Sequence, residues 1–196
     1  MPRTITCAPS ACGEVGNIPS PFRLKDNLKG CGDSSFELAC EDNCTVLSLL
    51  DGRYHVKSIN IWSFWYNGGM EVIDLGLQKG NCSCLPLHPL MPSNFSEEYP
   101  FFIAPIYPMV TMMSCSKPVR SPLYINVEPC ITLNGYYSYA VINASASEIE
   151  EFCTITTSIV TGNYLLYKIE ALFGENRKIS YNDIHDTLAN GFNLSY

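Results

Sequence analysis

Ten cysteines in a chain of 196 residues limit what it can fold into more than any other feature does. Cys7, Cys12, Cys31, Cys40, Cys44, Cys82, Cys84, Cys115, Cys130 and Cys153 are even in number and span most of the length. A structural metal site needs close ligand spacing, and no C-x2-C pair occurs. The nearest approach is Cys82-Ser83-Cys84, while His55, His88 and His185 are scattered. No metal site is expected. Thiols at this density persist as disulfides in an oxidising compartment. Their pairing is not legible, since even eight cysteines allow about 105 connectivities.

Five N-x-S/T sequons agree with that compartment: Asn43, Asn81, Asn94, Asn143 and Asn193, none with proline in the middle. At Asn43 and Asn81 the middle residue is cysteine, which commonly lowers their use. Cysteines and sequons together point to a secreted or extracellular glycoprotein. The amino end, "MPRTITCAPSACG", has no apolar stretch of the kind a signal peptide needs, so the sequence reads as a mature domain, an excised piece or an incomplete reading of the gene. The longest apolar run, "FFIAPIYPMVTMM" (101 to 113), is short and broken by Pro105 and Pro108, so no membrane span is expected.

The chain is 46% hydrophobic and 16% charged, enough apolar material to fill a core. Acids outnumber bases 19 to 12, for a net charge of -7. No basic tract exists to displace phosphate counterions, which argues against a nucleic-acid partner.

Thirteen prolines and thirteen glycines interrupt the sequence, and short runs rich in Val, Ile, Tyr, Phe and Thr lie between them. "FELAC", "TVLSLL", "YHVKSINI", "MEVIDLG", "PLYINV", "YYSYAVINA" and "FCTITTSIV" read as strands. Two short helices are expected. "SASEIEEFC" carries a capping box from Ser147 to Glu150. "SYNDIHDTLANG" has Asp183 near its start and Asn190-Gly191 as a stop. The expected fold is mostly β, disulfide-rich, with one or two short helices, as a single unit over 1 to 196 with a flexible arm at 1 to 6.

Within the strand at 53 to 58, alternation places Arg53, His55 and Lys57 on one face and Tyr54 and Val56 on the other. Two readings stand: a solvated strand face, or a small anion-facing row on an acidic molecule. Arg23, Lys25 and Lys29 form a second local cluster with the same ambiguity. Both tryptophans lie in "INIWSFWYNGG" (59 to 69), too short and too glycine-rich at its end for a membrane helix. As a strand it would put Trp62, Phe64 and Tyr66 on one face, as core, and Trp65 opposite, as an exposed contact for a sugar ring.

Enzymatic signatures are missing. There is no G-x-S-x-G, phosphate-binding loop or dinucleotide fingerprint, and nothing selects a carboxylate pair among Asp74, Glu97, Glu98, Asp183 and Asp186. His185-Asp186 reads as an exposed or capped pair on an amphipathic helix. No catalytic residue is expected.

"CAPSACGEVGNIPSPFRL" followed by "CGDSSFELAC", then "TVLSL", "YHVKSIN" and "VIDLGL", resembles the extracellular galacturonan-binding domain of plant wall-associated receptor kinases. It is most similar to the leaf-rust-resistance type of receptor-like kinase. "CSKPVRSPLYINVEPC" and "SYNDIHDTLANGFNLSY" extend the resemblance to roughly Cys7 through Tyr196. The resemblance implies a non-catalytic module that senses or docks to cell-wall pectin. In such receptors a signal peptide, a membrane span and a kinase lie outside this segment. Three departures stand out. Ser20 replaces a usual tyrosine, the 61 to 69 connection is about four residues longer, and Cys44 and Cys84 are extra. An additional bridge between those two cysteines is expected.

A pectic ligand could be met by Arg53, His55 and Lys57, by Arg23 and Lys25, or through calcium bridging acid to acid; no other cofactor is expected. Trp65 would stack on a sugar. The alternative partner is a protein or peptide ligand.

Overall fold

The computed structural model describes residues 7 to 60, 68 to 104, 106 to 162, 165 and 178 to 196. The strand-forming runs assemble into three sheets. A ribbon of β1 (Ser10–Cys12) and β2 (Val15–Ile18) comes first, then β3 (Arg23–Leu24), β4 (Glu37–Glu41), β5 (Cys44–Leu49), β6 (Gly52–Asn60) and β7 (Gly69–Asp74). β8 (Met109–Cys115), β9 (Ile125–Asn126), β10 (Tyr137–Ile142) and β11 (Cys153–Val160) follow. Helix α1 (Tyr181–Leu188) and β12 (Phe192–Ser195) close the chain.

The six-stranded sheet runs β12-β7-β6-β5-β4-β3, antiparallel except where β3 pairs with β4. Its inward residues follow from period-2 alternation: Leu38, Leu47, Leu49, Tyr54, Val56, Met70, Val72 and Leu194 are all buried. Cys12, Val15, Ile18 and Phe22 cover this face from the ribbon side, with Leu90, Phe101 and Ile103 joining from the long 75 to 108 connection. Phe22, Phe36, Phe101 and Tyr196 meet edge to face, the closest pair at 4.8 Å between ring centroids.

The four-stranded sheet runs β11-β8-β10-β9. Its centre is β8, which the sequence presents only as part of a proline-broken apolar run. Pro105 and Pro108 precede the strand, so the ladder from Met109 onward keeps its amide donors. One face packs Val110, Met112, Ala140 and Ile159 against Tyr181, Ile184 and Leu188 of α1. α1 starts as its sequence dictates: Ser180 caps it, its hydroxyl accepting from the Asp183 amide, and Gly191 ends it at φ 96°. The other expected helix is only a single 3-10 turn, Ala146–Glu148, capped by Ser145 and Glu148 rather than by Ser147 and Glu150.

Four disulfides form: Cys7–Cys31, Cys12–Cys40, Cys82–Cys130 and Cys115–Cys153. The bridge expected between Cys44 and Cys84 does not. Both are free thiols: Cys44 is exposed at the β4–β5 turn, and Cys84 is half-buried in the loop that packs near α1. Each sits on a different part of the fold, so neither thiol has the other as a neighbour to bond. Among the described residues no helix is long and apolar enough to cross a membrane.

Candidate functional site

The expected basic row exists, but its charges are already paired. Arg53 and His55 stand on the outer face of β6, with Tyr54 and Val56 in the core. Arg53 bonds the Glu41 carboxylate across the sheet, and Lys57 Nζ lies 3.4 Å from Glu71 Oε1. His55 stands between them, opposite Val46 and Ile73 in the ladders. Arg23 is tied to its ladder partner Glu37 at 2.5 Å, while Lys25 is exposed, so these two do not act as one cluster. Trp65, with Trp62, Phe64 and Tyr66, lies outside the described residues.

A β-bulge decides what surrounds Lys57. β6 and β7 pair Val56 with Val72 and then Ser58 with Glu71, leaving Lys57 as the extra residue. The bulge flips the alternation, so Ile59 rather than Ser58 comes opposite the buried Met70. Lys57 and Ser58 are both left on the Glu71 side. On the far side of β7, Glu71 pairs with Asn193 of β12, so lysine, carboxylate and amide line up across three strands.

Beside this row is a pocket of about 350 Å³, lined by Lys57, Glu71, Gly162, Asn190, Gly191, Phe192 and Asn193. Two glycines let the backbones come close enough to build it. A Cβ on Gly191 would meet the Val72 carbonyl at 2.5 Å, and one on Gly162 would meet the Gly191 carbonyl at 2.6 Å. The result is a polar recess with one cation, one anion and two carboxamides, while the Phe192 ring turns inward onto Tyr54. It has hydrogen-bond donors and acceptors for hydroxyls. Sequence reasoning named Lys57 alone of this set. Asn190, Gly191 and Asn193 were visible only as a helix stop and a sequon.

Other polar groups are structural. Asp74 is 4% exposed, and its carboxylate accepts from the Gly76, Leu87 and His88 amides at 2.7, 2.9 and 2.8 Å. Tyr54 donates to the His88 carbonyl at 2.6 Å, and burial with the nearby Asp74 charge pushes its hydroxyl well above the ordinary tyrosine range. His185, expected on an exposed or capped position, is instead 1% exposed. It lies four residues after Tyr181 and one after Ile184, on the stripe that α1 turns toward the sheet. Burial lowers its affinity for a proton, against weaker opposing pulls from Asp186 and the Cys84 backbone. Burial alone raises Tyr181 to about 12. Among the described residues no three His, Cys, Asp or Glu side chains converge as metal ligands.

Cys12–Cys40 ties the β1–β2 ribbon to "FELAC", Cys7–Cys31 ties the segment before the ribbon to the turn ahead of that strand, and Arg23-Leu24 pairs with Glu37-Leu38. Residues 7–66 match the family model of the wall-associated receptor kinase galacturonan-binding domain. No curated protein and no solved structure matches the chain. The galacturonan-binding match covers just under a third of the length and includes Lys57. Glu71, Gly162 and the Asn190 to Asn193 wall lie beyond it, so the pocket joins the matched segment to later sequence.

Proposed function

We propose that the chain is an extracellular, non-catalytic module of a wall-associated receptor-like protein that binds pectic polysaccharide in the Lys57–Asn193 pocket. The observation that carries this reading is the galacturonan-binding match over residues 7 to 66. The pocket supports it, because carboxamides and a lysine can bond the hydroxyls and carboxyl group of a uronic-acid ring. Disulfides tying both large sheets or their flanks suit an oxidising extracellular setting. Calcium has one route in this reading, bridging a ligand carboxylate to a surface carboxylate such as Glu71.

Calorimetric titration of the oxidised protein with pectic oligogalacturonides of graded esterification, with and without calcium, tests the proposal. Saturable heat with at least one of them, weakened when Asn190 and Asn193 are both replaced by alanine, supports it. No binding of any oligogalacturonide to folded protein sinks it and moves the search to a protein or peptide ligand.

A further inference from the structure

The charge arrangement of the pocket bears on which pectin chemistry it takes. Lys57 is the single cation lining it among the described residues, and that charge is already shared with Glu71 at 3.4 Å. Both side chains are partly open, 28% and 38% exposed, so they face the recess rather than the core. A ligand carboxylate arriving at Lys57 must therefore approach Glu71 as well, and like charges within about 4 to 6 Å disfavour the ionised form of both. Asn190 and Asn193 supply amide donors and acceptors in equal measure, which suits hydroxyls and an ester carbonyl better than a second negative charge. Asn190 also follows the carboxyl end of α1, where the helix dipole is negative. The whole molecule adds its net charge of -7.

We propose that this pocket selects the methyl-esterified form of galacturonate, in which the uronic acid is uncharged, over the free acid. This rests on the pectic reading above and refines it. The ester leaves the Lys57–Glu71 pair intact and presents its carbonyl to the lysine or an asparagine amide. The free acid has to break or crowd that pair.

The test is titration of the intact, oxidised protein with two oligogalacturonides of equal length, one fully de-esterified and one fully methyl-esterified, at low and moderate salt. The expected result is roughly tenfold tighter binding of the ester, with little salt dependence. Glu71→Gln keeps the shape while releasing Lys57, and is expected to raise affinity for the acid until the preference narrows or reverses. Equal or tighter binding of the acid by the native protein overturns the inference while leaving the pectic reading standing. An ester preference that Glu71→Gln does not alter also overturns it, because the carboxylate would then not be the selector. If neither oligosaccharide binds, the pectic reading itself fails.

Discussion

Single residues divide into those that hold the fold and those that face outward, and Asp74 is the clearest of the first kind. Three backbone amides converge on its buried carboxylate, which fixes the turn after β7 to the strand at 87 to 88. Asp74→Ala would orphan them all. A loss of about 3 kcal/mol is expected by urea denaturation, since charge-assisted bonds and unsatisfied buried donors both count. His185 gives a prediction with a definite sign. Its folded-state proton affinity lies below that of the unfolded chain, so the unfolded state binds more protons as pH falls. Its contribution to stability is full above about pH 6.5 and is lost as the medium becomes more acidic. Comparing the native protein with His185→Leu by denaturation at pH 7 and pH 5 isolates that share: the variant should lose less stability on acidification. An identical loss in both proteins would refute the assignment. The periodicity of 181, 184, 185 and 188 already placed His185 on the apolar stripe. A reading that expects histidines to seek water misses it, because burial here comes from position on the helix and not from residue type.

Among the elements, strands at 37 to 60 were legible because period-2 alternation and turn residues agreed there. β8 was not, because Val110 and Met112 on one face and Met113 on the other are apolar, and Thr111 between them is buried too. A strand buried between α1 on one side and Tyr124 and Tyr139 on the other has no solvent face to alternate with. The ten cysteines announced disulfides but not that two would stay out. Cys44 is exposed, so alkylation of the native protein should label it promptly, Cys84 more slowly, and no other cysteine before unfolding. Peptide mapping that recovers a Cys44–Cys84 bridge would count decisively against this arrangement. Cys44→Ser should change stability by no more than about 0.5 kcal/mol. Replacing Cys82 and Cys130 together opens a tie with a sequence separation of 48 and should cost about 2 to 5 kcal/mol.

Across the whole molecule the candidate site was the least legible feature. Alternation showed a basic row, yet its neutralising carboxylates come from β4 and β7, and the asparagines come from the far end of the chain. Only the register of three strands brings them together. The sequons make a further prediction at this scale. Asn43, Asn81, Asn94 and Asn143 are exposed, whereas Asn193 is half-buried in the pocket wall. A glycan on Asn193 would fill the recess it lines. Glycopeptide mapping of protein that binds ligand should find Asn193 unmodified, and Ser195→Ala, which removes the sequon but keeps Asn193, should leave affinity as it was. Tighter binding by that variant would mean that glycan and ligand compete for one space.

Tyr196 gives the architecture a mechanical character. Its hydroxyl donates to the Asn60 carbonyl at 3.2 Å, its amide donates to the Gly68 carbonyl at 3.4 Å, and its ring lies over Gly68. One residue thus bonds both flanks, Asn60 and Gly68, of the tryptophan-bearing stretch. β12, on which Tyr196 hangs, is also the strand that supplies Phe192 and Asn193. One strand and the residue after it therefore tie the pocket wall to both roots of that stretch.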